Sequence, residues 1–198
     1  MAAVESDPMK LPGPWEDGYV VERQHTLSSD FLGHDSLSNP QFDTKRSELG
    51  EFVFRLKNRN DKSTVDSIAD TAVEFVTGWA PPIDMIVPIP PSRKRPYQPV
   101  IEIAKAIGVR LQKLVSESPI KKIKETPELK DVFDYGPPTK LLEGAFEADG
   151  TVVAGKDILL VDDLYRSGAT AMIVAKTLLN AGAKSVRMLA MTKTRTRT

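Results

Sequence analysis

The sequence predicts an α/β fold, a doubly wound and mainly parallel sheet preceded by a helical N-terminal section. Three observations predict it. Short apolar runs at residues 85–87, 157–161 and 185–191 have the length of buried strands. Between and beside them, residues 99–107 and 168–181 carry apolar side chains at helical spacing. Alternating strands and helices form strand–helix–strand units, which give a parallel sheet with helices on both faces.

Residues 1–14 are polar and proline-rich and are expected to form a loose tail. Residues 15–40 mix aromatic residues, Gly, Ser and Asn without a clear period, which suggests an irregular element with one short hairpin. Asp43 has the character of an N-cap before a helix with Leu49, Phe52, Val53 and Leu56 on one face. Residues 58–61 break that helix. A second starts near Ser63 or Thr64, carries Val65, Ile68, Ala69, Ala72, Val73 and Val76, and ends at 79–82. The strand at 85–87 stops at the proline-studded turn 88–91, the helix at 99–107 follows, and 109–115 is a possible strand. Residues 116–155 are charged and broken by Pro and Gly. So long a segment without a regular period is either functional or wrongly divided into elements. The domain organisation expected is a tail over 1–14, an N-terminal section over 15–82 and a core over 83–198.

Composition narrows the chemistry. The 198 residues suit one domain, or one domain with an appended piece, and can bury a substantial core without disulfide or metal. No cysteine is present, which excludes thiolate nucleophiles, zinc ribbons and disulfide frameworks. Two histidines, His25 and His34, make no metal cluster by themselves. Lys plus Arg and Asp plus Glu are both 27, so there is no general electrostatic reason to expect nucleic-acid binding, although local patches stay open. No apolar run approaches the roughly 18 residues that span a bilayer. The first residues lack the basic start and apolar core of a signal peptide, so a soluble cytoplasmic protein is expected. No internal repeat is visible.

In open α/β sheets, ligands bind outside the carboxyl ends of the strands, where loops lead into helices. The loops at 88–97 and 162–170 are therefore the candidates. The apolar run 158–161 ends in Asp162 and Asp163, two carboxylates that repel each other and resist burial. Hydroxyls, a cation or water must offset that cost. Ser167, Gly168 and Thr170 follow at the start of a helix, whose unpaired N–H groups and positive dipole end attract phosphate. Together these suit a phosphorylated sugar: carboxylates for ring hydroxyls, loop and helix end for the phosphate. An acidic pair alone reads as two surface residues, with Ser167 a plain helix cap. The whole string of apolar run, Asp-Asp, loop and Gly-x-Thr favours the functional reading.

The string ILLVDDLYRSGAT at 158–170 resembles the signature by which type I phosphoribosyltransferases bind phosphoribosyl pyrophosphate (PRPP). The resemblance implies that Asp162 and Asp163 are the catalytic pair, binding the ribose 2- and 3-hydroxyls in part through a magnesium ion. It implies that Arg166, Ser167, Gly168, Ala169 and Thr170 hold the 5-phosphate. It further implies an N-terminal helical hood over the acceptor, transfer of the phosphoribosyl group to a nitrogen nucleophile with release of pyrophosphate, and a possible homodimer. One departure is informative. Members resembling hypoxanthine phosphoribosyltransferase carry an Asp facing the base where this chain has Arg166, which cannot serve as a carboxylate base. Simple hypoxanthine or guanine salvage is therefore not implied.

Residues 85–95 read MIVPIPPSRKR: a strand, a rigid proline turn, then Ser92 and the cations Arg93, Lys94 and Arg95. Such cations suit a pyrophosphate leaving group, and an ordinary solvated basic turn fits them equally. In type I phosphoribosyltransferases the loop after the first core strand binds pyrophosphate, which implies that role for Ser92, Arg93 and Lys94. VPIPPSRKRPYQPV, IKKIKETPELKDV, LLEGAF and the PRPP signature are similar to the ComF-like group, related to competence proteins. GYVVERQHTLSS and FDTKRSELGEFVFRLKNRND match it more loosely. ComF proteins often carry a cysteine-ligated zinc module, which this chain lacks, so a DNA-uptake role that depends on it does not transfer.

Other residues keep two readings. Lys121, Lys122, Lys124 and Lys130 suit a lid closing over phosphate, or a solvated hairpin. Trp15, Tyr19, Phe31, Phe42, Phe52 and Phe54 suit base stacking or core packing. His25 and His34 suit acid–base work or a structural role. The terminal KTRTRT suits a phosphate contact or a fraying end. For the whole chain, a non-catalytic PRPP-sensing regulator and an accessory that binds single-stranded DNA stand beside the transferase.

Overall fold

The computed structural model describes residues 2–91, 96–124 and 142–194. Numbering elements along the chain, the central sheet runs in the order β1 (Met9–Lys10), β2 (Asp17–Glu22), β10 (Ser185–Lys193), β9 (Asp157–Tyr165), β5 (Met85–Pro88) and β6 (Leu114–Val115). All neighbours are parallel except β1, which is antiparallel to β2. The predicted α/β class with a mainly parallel sheet is what the structure shows.

Successive side chains of a strand point to opposite faces, so a strand buried on both sides reads as an unbroken apolar run. Ile158 and Leu160 join Val87, Met188 and Ala190 in one core, against α5 (Ala169–Asn180). Leu159 and Val161 join Ile86, Leu189 and Met191 in the other. That second core is closed by α1 (Glu48–Arg59), α2 (Val65–Trp79) and α3 (Pro99–Leu111), through Leu49, Val53, Leu56, Ile68 and Ile103. Each fully buried Leu or Ile contributes roughly 1.5–3 kcal/mol.

Helix α1 begins later than expected. Asp43 lies in a strand, and Ser47 is the cap: its Oγ accepts from Gly50 N–H (3.1 Å) and donates to Gln24 O (2.7 Å). Glu48 and Glu51 in the first turn and Lys57 and Arg59 in the last complement the helix dipole. Asn60 ends the helix at φ 55°. Helix α3 runs past the expected 107 to Leu111, leaving only Leu114–Val115 as strand where 109–115 was expected.

The N-terminal stretch is more ordered than its composition suggests. The expected tail contributes β1, and Leu11 is buried, its carbonyl taking the Trp15 indole N–H at 2.9 Å. The expected irregular element supplies β2 and most of a hairpin, β3 (Thr26–His34) with β4 (Pro40–Arg46). Two irregularities of register, at Thr26/Ser28 and Phe31/Gly33, explain why no period of two was visible. This hairpin is exposed over most of its length, with Phe31 and Phe42 paired at 5.5 Å. Strand β2 precedes the expected boundary at 82/83, yet it pairs along β10 in the same sheet.

Within 116–155, β7 (Ile120–Lys122) pairs antiparallel with β8 (Phe146–Ala148), and a single turn of helix, α4 (Gly150–Val153), follows. Among the described residues no helix is long and apolar enough to cross a membrane.

At the amino end of β9 and β10, buried charges tie the sheet. Asp157 accepts from Lys184 Nζ (2.8 Å) and Ser185 Oγ (2.6 Å), and Arg187 bonds Ser185 Oγ (2.6 Å) and Glu16 (2.9 Å). The carboxyl end is built differently. From β5 the chain crosses by α3 to β6 on one side, and from β9 by α5 to β10 on the other, with α3 and α5 on opposite faces. The connections diverge there, which makes the carboxyl ends of β5 and β9 the topological switch point of the sheet.

Candidate sugar-phosphate site

The acid pair lies within β9, not at its end. The sequence places the strand at 157–161, whereas the structure continues it to Tyr165, because β10 also runs on and pairs Ala190 with Asp162, Thr192 with Leu164 and Lys193 with Tyr165. On the β5 side pairing stops at Pro88↔Val161, followed by the bond from Ile89 N–H to Val161 O (2.8 Å). The prolines after β5 lack an N–H to continue the ladder. Among the described residues, Asp162 to Tyr165 therefore line an edge paired on one side only.

Strand alternation separates the two acids. Asp163 is buried and turns towards α1, where Lys57 Nζ donates to Oδ1 at 2.9 Å and to Oδ2 at 3.0 Å. Asp162 folds back, and its Oδ1 accepts the Asp163 backbone N–H at 2.9 Å. Burial, then the Asp163 charge, push Asp162 up to about 7; Lys57 and backbone N–H donors oppose the shift.

The loop after the strand is only Arg166–Gly168. Arg166 and Ser167 are exposed, Gly168 and Ala169 are buried, and Thr170 is half-buried. Gly168 takes φ 76°, where L side chains are strained, and a Cβ there would run into the ring and hydroxyl of Tyr165. Helix α5 has no side-chain N-cap bond from this glycine; Ser167 Oγ accepts only a long bond from Ala169 N–H, 3.4 Å. The first turn of α5 thus faces the loop with its dipole end uncapped. Burial, then Asp162, raise the Tyr165 phenol above its ordinary value.

The structure thus places Asp162, Asp163 and Arg166 to Thr170 at the carboxyl end of β9, beside the exit of β5. Ser92, Arg93, Lys94 and Arg95 lie outside the described residues, as do Lys130 and most of KTRTRT. Lys121 and Lys122 lie on β7. Trp15 packs in the core, and Tyr19 packs against Phe75 and Trp79, at 5.3 and 5.0 Å between ring centroids. His34 sits at the end of β3, edge-on to Phe31 at 5.2 Å.

Two residues near the acids carry more than the sequence showed. Lys57 is not among the candidate residues that the sequence offers. The available signal was its spacing, four after Val53 and eight after Leu49, which puts a cation in line with the apolar stripe. His25 bonds Thr192 through Nδ1 at 3.0 Å, and its backbone N–H donates to Lys193 O (2.9 Å). Burial, then the charges of Arg46 and Lys57, lower His25 to about 4, so it is neutral at pH 7. No sequence spacing links His25 to Thr192, because their contact is made by the sheet.

A depression of about 240 Å³ opens beside Lys57, lined by Leu56, Asn58, Asn60, Pro96 and Tyr97, with Lys62 Nζ 4.4 Å from the Tyr97 ring centre. A larger hollow of about 450 Å³ lies between the end of α3 and β6, at the sheet edge and lined by neither acid. Magnesium takes about six oxygen ligands in octahedral array. Among the described residues no three acidic or histidine side chains gather as a metal site. With Asp163 held through both oxygens by Lys57 and Asp162 bonded to backbone, this donor set does not fit an ion held by the acid pair.

No protein-family model and no curated protein matches the chain. Solved structures do. It is similar to the glutamine PRPP amidotransferase of B. subtilis, with 16% identity and a TM-score of 0.50 over 75% of this chain and 33% of that one. It also resembles adenine phosphoribosyltransferase of Leishmania tarentolae, with 12% identity and a TM-score of 0.46 over 83% of each chain. A third is UMP synthase of Leishmania donovani, with 16% identity and a TM-score of 0.44 over 80% of this chain and 27% of that one. The chain spans about a third of the length of the amidotransferase structure. The likeness to the amidotransferase shows a shared fold.

Proposed function

We propose that this chain, with that fold, binds PRPP through its ribose 5-phosphate and transfers the phosphoribosyl group to a nitrogen nucleophile. The observation that supports this best is the half-open strand edge carrying Asp162 and Asp163, followed by an uncapped helix mouth at the topological switch point. The helix mouth with Arg166, Ser167, Gly168, Ala169 and Thr170 takes the 5-phosphate. Asp162 and Asp163 are assigned to the sugar hydroxyls. Ser92, Arg93 and Lys94 are assigned to the pyrophosphate on the sequence alone.

In the reaction proposed, a nitrogen lone pair forms the bond to the anomeric carbon as the carbon–oxygen bond to pyrophosphate breaks. Pyrophosphate leaves with the bonding electrons, and the proton on nitrogen passes to solvent. Positive charge grows on the sugar beside two acids, so positioning and electrostatics supply most of the rate. No protein base is needed at the position of Arg166. Magnesium is proposed to travel on the diphosphate of PRPP rather than on the acid pair. The depression at Tyr97 is the proposed acceptor pocket. The ComF-like subtype rests on the motifs quoted above, and a homodimer and a cytoplasmic location belong to the same reading.

Calorimetry with PRPP and with ribose 5-phosphate tests the site, and pyrophosphate release with purines, pyrimidines, ammonia and glutamine tests the transfer. The double variant Asp162→Asn, Asp163→Asn is expected to weaken PRPP binding by at least about tenfold, the worth of one charged hydrogen bond. Equal binding by the variant overturns the site. PRPP binding without pyrophosphate release for any acceptor leaves the sensor reading in place of the transferase.

A further inference from the structure

We infer that the Lys57 ammonium takes the place of a divalent cation at Asp163, so that this chain grips the ribose 5-phosphate moiety without a protein-bound metal. The inference rests on the PRPP reading and deepens it, assigning the charge partner of the acid pair to a helix of the N-terminal section.

The geometry carries it. Lys57 Nζ lies 2.9 and 3.0 Å from the two oxygens of Asp163, a bidentate contact of the length expected for a charge-assisted bond. The two side chains are 31% and 10% exposed, so neither end of the pair is a loose surface group. Lys57 occupies the last turn of α1, where the helix dipole favours a cation, and the buried Leu49, Val53 and Leu56 hold that helix on the sheet. The ammonium is therefore delivered by a packed element rather than by a mobile loop.

Two adjacent carboxylates, Asp163 buried and Asp162 half-buried, need positive charge, which a metal or a cation of the chain can supply. Here the chain supplies it. A carboxylate has about four lone-pair sites, and the ammonium uses two, so Asp163 keeps acceptor capacity for sugar hydroxyls. A dication approaching the same carboxylate would meet the ammonium charge at close range, in surroundings that screen it poorly. Asp163 is thus an acceptor for the sugar and a poor metal ligand. As a positioning residue for that acceptor, Lys57 sets the metal requirement of the site.

Calorimetry with ribose 5-phosphate, which has no diphosphate to carry magnesium, separates the possibilities. The parent is expected to bind equally, within about twofold, in EDTA and in excess magnesium. Lys57→Met is expected to lose about tenfold or more in EDTA and to regain part of it with magnesium, while Lys57→Arg stays close to the parent. Circular dichroism and urea melts verify that both variants are folded. Manganese binding followed by electron paramagnetic resonance, without sugar, gives a second readout. The parent should show no manganese site that Asp163→Asn abolishes, and Lys57→Met should gain one. A parent that needs magnesium for ribose 5-phosphate, or a manganese site in the parent lost with Asp163→Asn, overturns the inference. If the parent binds neither ribose 5-phosphate nor PRPP under any condition, the PRPP reading fails, and the manganese result still decides the role of Lys57.

Discussion

Asp162 and His25 both face the carboxyl end of the sheet, and their proton affinities are displaced in opposite directions. His25 drops from 6.5 to about 4, so between those values the unfolded chain binds a proton that the folded chain refuses. Its contribution is complete above 6.5 and is lost as pH falls towards 4. Asp162 rises from 3.8 to about 7, so its contribution is complete below 3.8 and is lost as pH rises through 7. In the window they share, the two slopes oppose each other. Urea midpoints of single variants should therefore diverge. Asp162→Asn should gain stability with rising pH between about 4 and 6.5, and His25→Gln should lose it towards pH 7. Two profiles parallel to that of the parent would show that neither group is displaced. The acids were legible in the sequence because they are adjacent. The surroundings of the titrating groups were not, because Lys57 reaches Asp163, and Arg46 and Thr192 reach His25, only through the fold.

At the scale of elements, the caps and the site loop make separable demands. Ser47→Ala removes the Gly50 bond and the tie to Gln24 O, and is expected to cost about 1 kcal/mol in urea unfolding. An unchanged midpoint would mean that the cap seen here is not used. Gly168→Ala is expected to cost about 1–3 kcal/mol, from a positive φ and from the Tyr165 ring against which a methyl would press. In a Tyr165→Phe background the cost should shrink, since the hydroxyl is the nearest atom to that methyl. Element types near this loop were readable from period alone, but their ends were not. Strand β9 outlasts its apolar run because β10 offers pairing partners, and Asp162 itself satisfies a backbone N–H there. Helix α1 starts at Ser47 rather than after Asp43 because the hairpin claims Asp43 opposite Asp30.

Over the whole molecule, stability and chemistry occupy opposite ends of the sheet. Asp157, Ser185, Arg187 and Glu16 tie the amino ends of the strands, whereas Asp162, Asp163 and Gly168 shape the carboxyl end. Arg187→Met leaves Asp157 without one of its buried partners and is expected to cost about 3 kcal/mol. PRPP binding measured on the folded variant should not change. A loss of affinity equal to that of the acid variants would mean that the two ends are not independent. Both cores run along the strands between these ends, so the packed interior separates them physically.

What the sequence determined by itself was local and periodic: apolar runs that must be buried strands, helical stripes, and a string of acids, glycine and hydroxyls whose chemistry suits a sugar phosphate. Each depends on neighbours within a few residues, where side-chain period and backbone freedom act directly. The tertiary structure alone decided that residues 9–22 edge the core sheet, that the acid pair lies inside a strand, and that Lys57 holds Asp163. Lys57 and Asp163 are 106 positions apart, and no local pattern encodes their meeting. It follows from packing α1 against the sheet, because burial of Leu49, Val53 and Leu56 fixes where the last turn of that helix ends.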